Sequence, residues 1–186
     1  MAYYLLGILI LVVDQATKII VQHKLPMGVP IEVIPGFFNL YHTRNVGGAF
    51  GLFPNMAPLL LVVGVVAVVV LMVAFRRFRY QDKTVRLSLA LLIAGALGNI
   101  IDRIRLGYVI DFIQLYLSRF YWPAFNIADT SVVVGAVLIL VFIFSHREKG
   151  KGEPDSKTEN GTPEKAVEDA SGEEKATADK LPSDKK

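Results

Sequence analysis

The chain has 186 residues, 53% of them hydrophobic, a formal net charge of +3 and no cysteine. Its mean hydropathy of +0.44 is high for a soluble domain. The absence of cysteine excludes a disulfide framework, a thiol nucleophile and a cysteine-ligated metal. The charge is split: residues 1–145 carry 11 Lys/Arg against 6 Asp/Glu, and residues 146–186 carry 9 against 11.

The apolar residues come in four blocks, roughly 3–21, 56–75, 85–104 and 127–145. None alternates as a strand would, and each approaches the roughly 20 residues that carry a helix across a bilayer. Lipid admits only helices and closed barrels, so four transmembrane helices are predicted. The first block has no basic leader and contains Asp14 and Lys18 in "DQATK", so it reads as a retained helix and not a cleaved secretory signal. Asp14 and Lys18 lie one turn apart on one face, the spacing of an ion pair.

Residues 23–55 follow. "VPIEVIPGFFNLYHTRNVGGAFGLF" mixes β-branched and aromatic residues with Pro and Gly, and predicts strands broken by turns. A small sheet is expected between the first and second helices, lying on the outer membrane face. After the second block comes "RRFRYQDKTVR", with five basic residues, and "HREKGK" follows the fourth. The positive-inside rule puts both in the cytoplasm, and with an even number of spans the N-terminus joins them. Residues 23–55 and 105–126 then lie outside, where Tyr116, Phe120, Tyr121 and Trp122 suit an interfacial aromatic belt. Residues 146–186 are too polar to offset ordering entropy and are expected to form a disordered cytoplasmic tail, leaving 1–145 as the membrane domain.

Of the six acidic residues before 146, Glu32 and Asp82 fall in connecting segments. Asp14, Asp102, Asp111 and Asp129 lie in or beside apolar helices, where an ionisable side chain marks function by default. In "GALGNIIDRIRLGYVIDFI", Gly95 and Gly98 permit close helix packing, and Asn99 and Asp102 share a face. Arg103 or Arg105 or an amide is expected to hold Asp102. Asp111, amid "YVIDFIQLY", is oddly apolar company for a solvated charge. Asn126 and Asp129 share a face at the outer end of the fourth helix. Topology puts Asp111 and Asp129 at one membrane level. Two close carboxylates share one proton, one acting as base toward water and the other as acid toward a carbonyl. Asp102 is the second candidate partner for Asp129, and a structural polar network is the alternative to chemistry.

Other chemistries find less support. The three histidines are scattered without zinc spacing, no phosphate-binding loop is present, and the basic loop needs no nucleic acid to explain it. An ion-coupled carrier stays open as a rival, against which stand the small number of spans and the lack of an inverted repeat.

"DQATK" at 14–18, "RNVGGAF" at 44–50, "GALGNIIDR" at 95–103, "VIDF" at 109–112 and "FNIAD" at 125–129 occur in that order. Together they resemble the lipoprotein signal peptidases (signal peptidase II) of bacteria, over residues 1–145. The resemblance implies an aspartic endopeptidase of the bacterial inner membrane. Such an enzyme removes the signal peptide of diacylglyceryl-modified prolipoproteins just before the lipidated cysteine. It implies a catalytic pair of Asp111 and Asp129, with Asn45, Asn99, Arg103 and Asn126 holding substrate and Asp14, Lys18 and Asp102 in support. It implies inhibition by the cyclic peptide globomycin. A carboxylate pair activates water alone, so no metal or organic cofactor is expected; the site is expected to meet membrane lipid, and a closed four-helix unit could act alone as a monomer. Departures are small: alanine is commoner in the family where Gly48 stands, and glycine where Ala94 stands.

Overall fold

The computed structural model describes residues 1–48, 56–77 and 82–149. Four helices carry the chain: α1 (Ala2–Lys24), α2 (Ala57–Arg77), α3 (Lys83–Leu106) and α4 (Ile127–Lys149). All four are long and apolar enough to cross a membrane. The ends extend a few residues beyond the apolar blocks because polar and basic residues complete the last turns. α4 carries on past residue 145 to Lys149, and the rest of the expected tail, 150–186, lies outside the described residues.

α3 is the central helix, packed on α4, α2 and α1. Its small residues make that possible. A Cβ at Gly95 would meet the Ala128 carbonyl oxygen and, at 2.8 Å, Cγ2 of Val132. Across the seam, a Cβ at Gly135 would stand 2.9 Å from the Ser88 carbonyl oxygen. α2 fully buries only Val68, with a half-buried stripe against α3, and leaves the rest of its surface to lipid, as its uninterrupted apolar sequence requires. Asp82, read from sequence as a plain connecting residue, is the N-cap of α3, its carboxylate accepting from the Thr84 N–H at 2.7 Å. Gly107 ends α3 in the left-handed conformation, φ 79°, with its N–H on the Arg103 carbonyl at 3.0 Å. That cap turns the chain directly into a strand.

The sheet has four antiparallel strands in the order β1-β2-β3-β4. β1 (Pro30–Ile34) and β2 (Phe38–Asn45) lie between α1 and α2, where a sheet was expected. β3 (Val109–Leu117) and β4 (Phe120–Tyr121) come from the connection between α3 and α4 and complete it. Glu32 is therefore a strand residue of β1, and its carboxylate takes the Tyr116 hydroxyl of β3. β2 pairs with β3 through Leu40↔Ile113 and then Thr43↔Asp111, so two residues of β2 face one of β3. This bulge shifts the register, and a one-residue shift reverses which side chains share a face. Beyond it Asn45, paired with Val109, is diagonal to Asp111 on one face. The first four residues of β3 are all buried. Ile110 and Phe112 pack with Val21 of α1, Leu25 and Leu106, seating the sheet on the helix ends.

Candidate active site

Asp111 is 1% exposed, at the buried start of β3. The Nδ2 of Asn45 donates to its Oδ2 at 2.9 Å, and the Nδ2 of Asn126 donates to its Oδ1 at 2.6 Å. Asn126 is the residue before α4, and its Oδ1 accepts from the Asp129 N–H at 2.8 Å. Asp129 reciprocates, its Oδ2 accepting from the Asn126 N–H at 3.3 Å. This is a capping box with aspartate in the acidic position. The other oxygen of Asp129 accepts from the Nδ2 of Asn99, on α3, at 2.7 Å. One asparagine thus caps a helix and joins the two carboxylates. Asp129 is half-buried and Asp111 lies behind it, away from solvent.

A second polar cluster holds the first. Lys18, 1% exposed, stands 2.9 Å from Oδ2 of Asp14 and 3.0 Å from Oδ2 of Asp102. Its third ammonium proton goes to Oδ1 of Asn99 at 3.1 Å. The three donors of the ammonium are then all used. With its oxygen on Lys18, Asn99 must present its Nδ2 to Asp129. Asp14 also accepts the Ala128 N–H at 2.9 Å, tying α1 to the first turn of α4. A Cβ on Gly98 would lie 2.6 Å from that carboxylate, so the close approach requires glycine. Among the described residues no buried side-chain nitrogen or oxygen lacks a partner.

Of the partners expected for Asp102, it is the amide that holds it, from Gln15, and neither arginine does. Lys18, the Nε2 of Gln15 at 3.2 Å and the backbone N–H of Ile110 at 3.1 Å hold it. Arg103 instead donates to the carbonyls of Gly47, at 3.1 Å, and of Asn99, at 3.4 Å. Arg105 donates to Oε1 of Gln15 at 3.2 Å. The Gln15 amide also reaches Asp14 and the Gly98 carbonyl, a role the sequence reading does not assign to it. The available signal was its place: an amide beside Asp14 in an otherwise apolar helix. Asp102 thus has its oxygens committed to α1 and β3, and the structure groups Asp111, not Asp102, with Asn126 and Asp129.

Burial pushes the Asp111 carboxyl up to about 7, and the charge of Asp129 adds to the effect. The donors Asn45 and Asn126, and the charge of Lys18, oppose it. An ordinary aspartate titrates near ~3.9, so Asp111 holds a proton under conditions where a solvated carboxylate would not. Among the described residues, each of the four carboxylate oxygens accepts one hydrogen bond from the asparagine frame, and a carboxylate oxygen can accept more. A pair so arranged can share one proton, activate a water and protonate a carbonyl.

The profile of the signal peptidase (SPase) II family matches residues 6–145. The chain is 42% identical over 145 residues to the lipoprotein signal peptidase of Geobacter metallireducens, covering 76% of this chain and 90% of that protein. It is likewise 42% identical over 134 residues to that of Geobacter sulfurreducens, covering 70% and 84%. A bacterial membrane enzyme solved by the in meso method at 2.3 Å resolution superposes with a TM-score of 0.76 at 31% identity, covering 82% of this chain and 93% of that one.

Proposed function

The chain belongs to the signal peptidase II family of aspartic membrane peptidases, and on that premise we propose that it cleaves the signal peptide from diacylglyceryl-modified prolipoproteins, just before the lipidated cysteine. Asp111 and Asp129 form the catalytic pair. The observation that supports this most directly is their meeting through Asn126, with Asp111 buried and its carboxyl held near 7. Asp111 carries the shared proton. Asp129 takes a proton from water as the water oxygen attacks the scissile carbonyl carbon, and Asp111 gives its proton to the carbonyl oxygen. Collapse of the gem-diol returns one proton to Asp111, while Asp129 protonates the departing cysteine nitrogen. The pair is then as it began. Arg103, anchored on the Gly47 carbonyl, steadies the loop after β2 beside the pair. Asn45 and Asn99 hold the carboxylates and, through their remaining polar edges, the extended peptide. Asp14, Lys18 and Asp102 support the frame.

The substrate is itself a membrane helix with a lipid, so it reaches the site sideways through the bilayer. The sheet and the carboxylates are assigned to the outer face of the inner membrane, and both chain ends to the cytoplasm. Residues 1–145 act as the peptidase unit, residues 146–186 as a charged cytoplasmic tail, and one chain suffices. Globomycin is expected to block it.

The test is release of the signal peptide from a lipidated prolipoprotein by purified protein. Wild type should cleave, while Asp111→Asn and Asp129→Asn, equally well folded, should not. Asp102→Asn should keep some turnover. A folded wild type that leaves confirmed lipidated substrate intact would overturn the reading.

A further inference from the structure

At the membrane face where α1 begins and α2 ends, far along the helices from the carboxylates, α1 and α2 pack on α3 and not along each other. The ring of Tyr4 meets that of Phe75 edge-on, centroids 5.2 Å apart, and bridges them. A cavity of about 250 Å³ lies there, lined among others by Gly7, Ile8, Met72, Arg76, Ala90 and Leu97. On α3, Ala90 and Ala94 leave room between Ile93 and Leu97, and opposite them Gly7 adds no side chain, so a cleft remains.

Among the described residues, three guanidinium groups belong to the same membrane face. Arg76 lines the cleft and Arg77 follows it in the exposed last turn of α2. Arg86, in the first turns of α3, sits over the Tyr3 ring at 4.9 Å and the Phe75 ring at 6.0 Å. Among the described residues the ion pairs all belong to Lys18, so none of these arginines meets a carboxylate. The two rings hold Arg86 in place, and among the described residues no acceptor takes its N–H fork, an arrangement that suits a phosphate. An apolar cleft opening between membrane helices lies against lipid, and an anionic headgroup is drawn to basic residues beside a span. A secretory leader carries positive charge, which three arginines would repel.

We propose that this cleft binds one anionic glycerophospholipid, with an acyl chain between α1 and α2 and its phosphate on Arg76 and Arg86. The site is separate from the carboxylate pair and goes beyond the peptidase reading. Native mass spectrometry of the full chain, delipidated in neutral detergent, tests it with phosphatidylglycerol and phosphatidylcholine of identical acyl chains. Wild type should retain one phosphatidylglycerol in clear preference. Each basic residue near an anionic lipid is worth enough that Arg76→Gln with Arg86→Gln should bind about thirtyfold more weakly. Gly7→Leu, which fills the cleft without changing charge, should lose both lipids. Circular dichroism reports whether each variant is folded. Should the double variant fail to fold, Arg76→Gln alone, at an exposed position, is expected to weaken binding about fivefold. Equal retention of the two lipids by wild type, or undiminished binding by the folded variants, would overturn the proposal.

Discussion

Asn45 and Asn126 place amide donors on the two oxygens of Asp111, and a donor favours the ionised form of a carboxylate. Removing one should therefore raise the proton affinity further. If cleavage needs one proton on the pair, activity falls as pH rises through the Asp111 value of about 7. Asn45→Ala is expected to move that alkaline limb to higher pH, whatever it does to the maximal rate. A pH profile of kcat/KM reads the shift; a limb that stays put or moves down would detach Asp111 from it. The same carboxyl links pH to stability. Its folded value lies above the unfolded ~3.9, so between about 4 and 7 the folded chain binds a proton the unfolded chain has released. This contribution is full in acid and is lost as pH rises through about 7. Thermal unfolding of wild type in detergent should show that decline, and Asp111→Asn should lack it.

Between elements, the buried charges of α1 and α3 are bound to one another as a set. Lys18 alone neutralises both Asp14 and Asp102. Lys18→Met would strand two carboxylates, and breaking such a pair typically costs about 3–5 kcal/mol. Adding Asp102→Asn should recover part of that loss, because the second change removes a charge the first left unpaired. Calorimetry of the single and double variants measures the coupling; strict additivity would mean the contacts are incidental. The α3–α4 seam makes a steric prediction. Gly95→Ala would set a Cβ against the Ala128 backbone, which cannot swing aside, and overpacking of this kind costs about 1–3 kcal/mol. Gly7→Ala meets its nearest atom at an ordinary 3.8 Å and should be close to neutral in the same melt. These seams also show what could be read from the chain. The four helices were legible because long apolar runs have one solution in lipid. Gly95 and Gly98 were legible as close contacts. That Asp102 goes to Lys18 and Ile110 was not, because Arg103 and Arg105 are nearer in sequence and only the fold brings α1 to its side. Asp111 could be marked as anomalous by its apolar neighbours, but its strand needed a partner, and β2 lies 66 residues away by the Asn45–Asp111 bond.

Taken whole, the molecule puts its sheet and carboxylates at one end of the helices and its arginine cluster at the other. β1 and β2 follow α1, and β3 and β4 follow α3, so both strand pairs sit at the end where odd-numbered helices finish. The last turn of α2 and the start of α3 lie at the opposite end, with Arg76, Arg77 and Arg86. Lys/Arg asymmetry between the short loops sets orientation in a membrane, so the sheet should face outward and the arginines inward. The chain contains no cysteine, so any thiol introduced is the only one to label. Phe37, 52% exposed in the β1–β2 turn, and Arg77, exposed at the end of α2, serve as reporters of the two faces. In spheroplasts a membrane-impermeant maleimide should label Phe37→Cys at once. It should reach Arg77→Cys only after the membrane is opened. The reverse pattern would overturn this orientation and place the carboxylate pair on the cytoplasmic side.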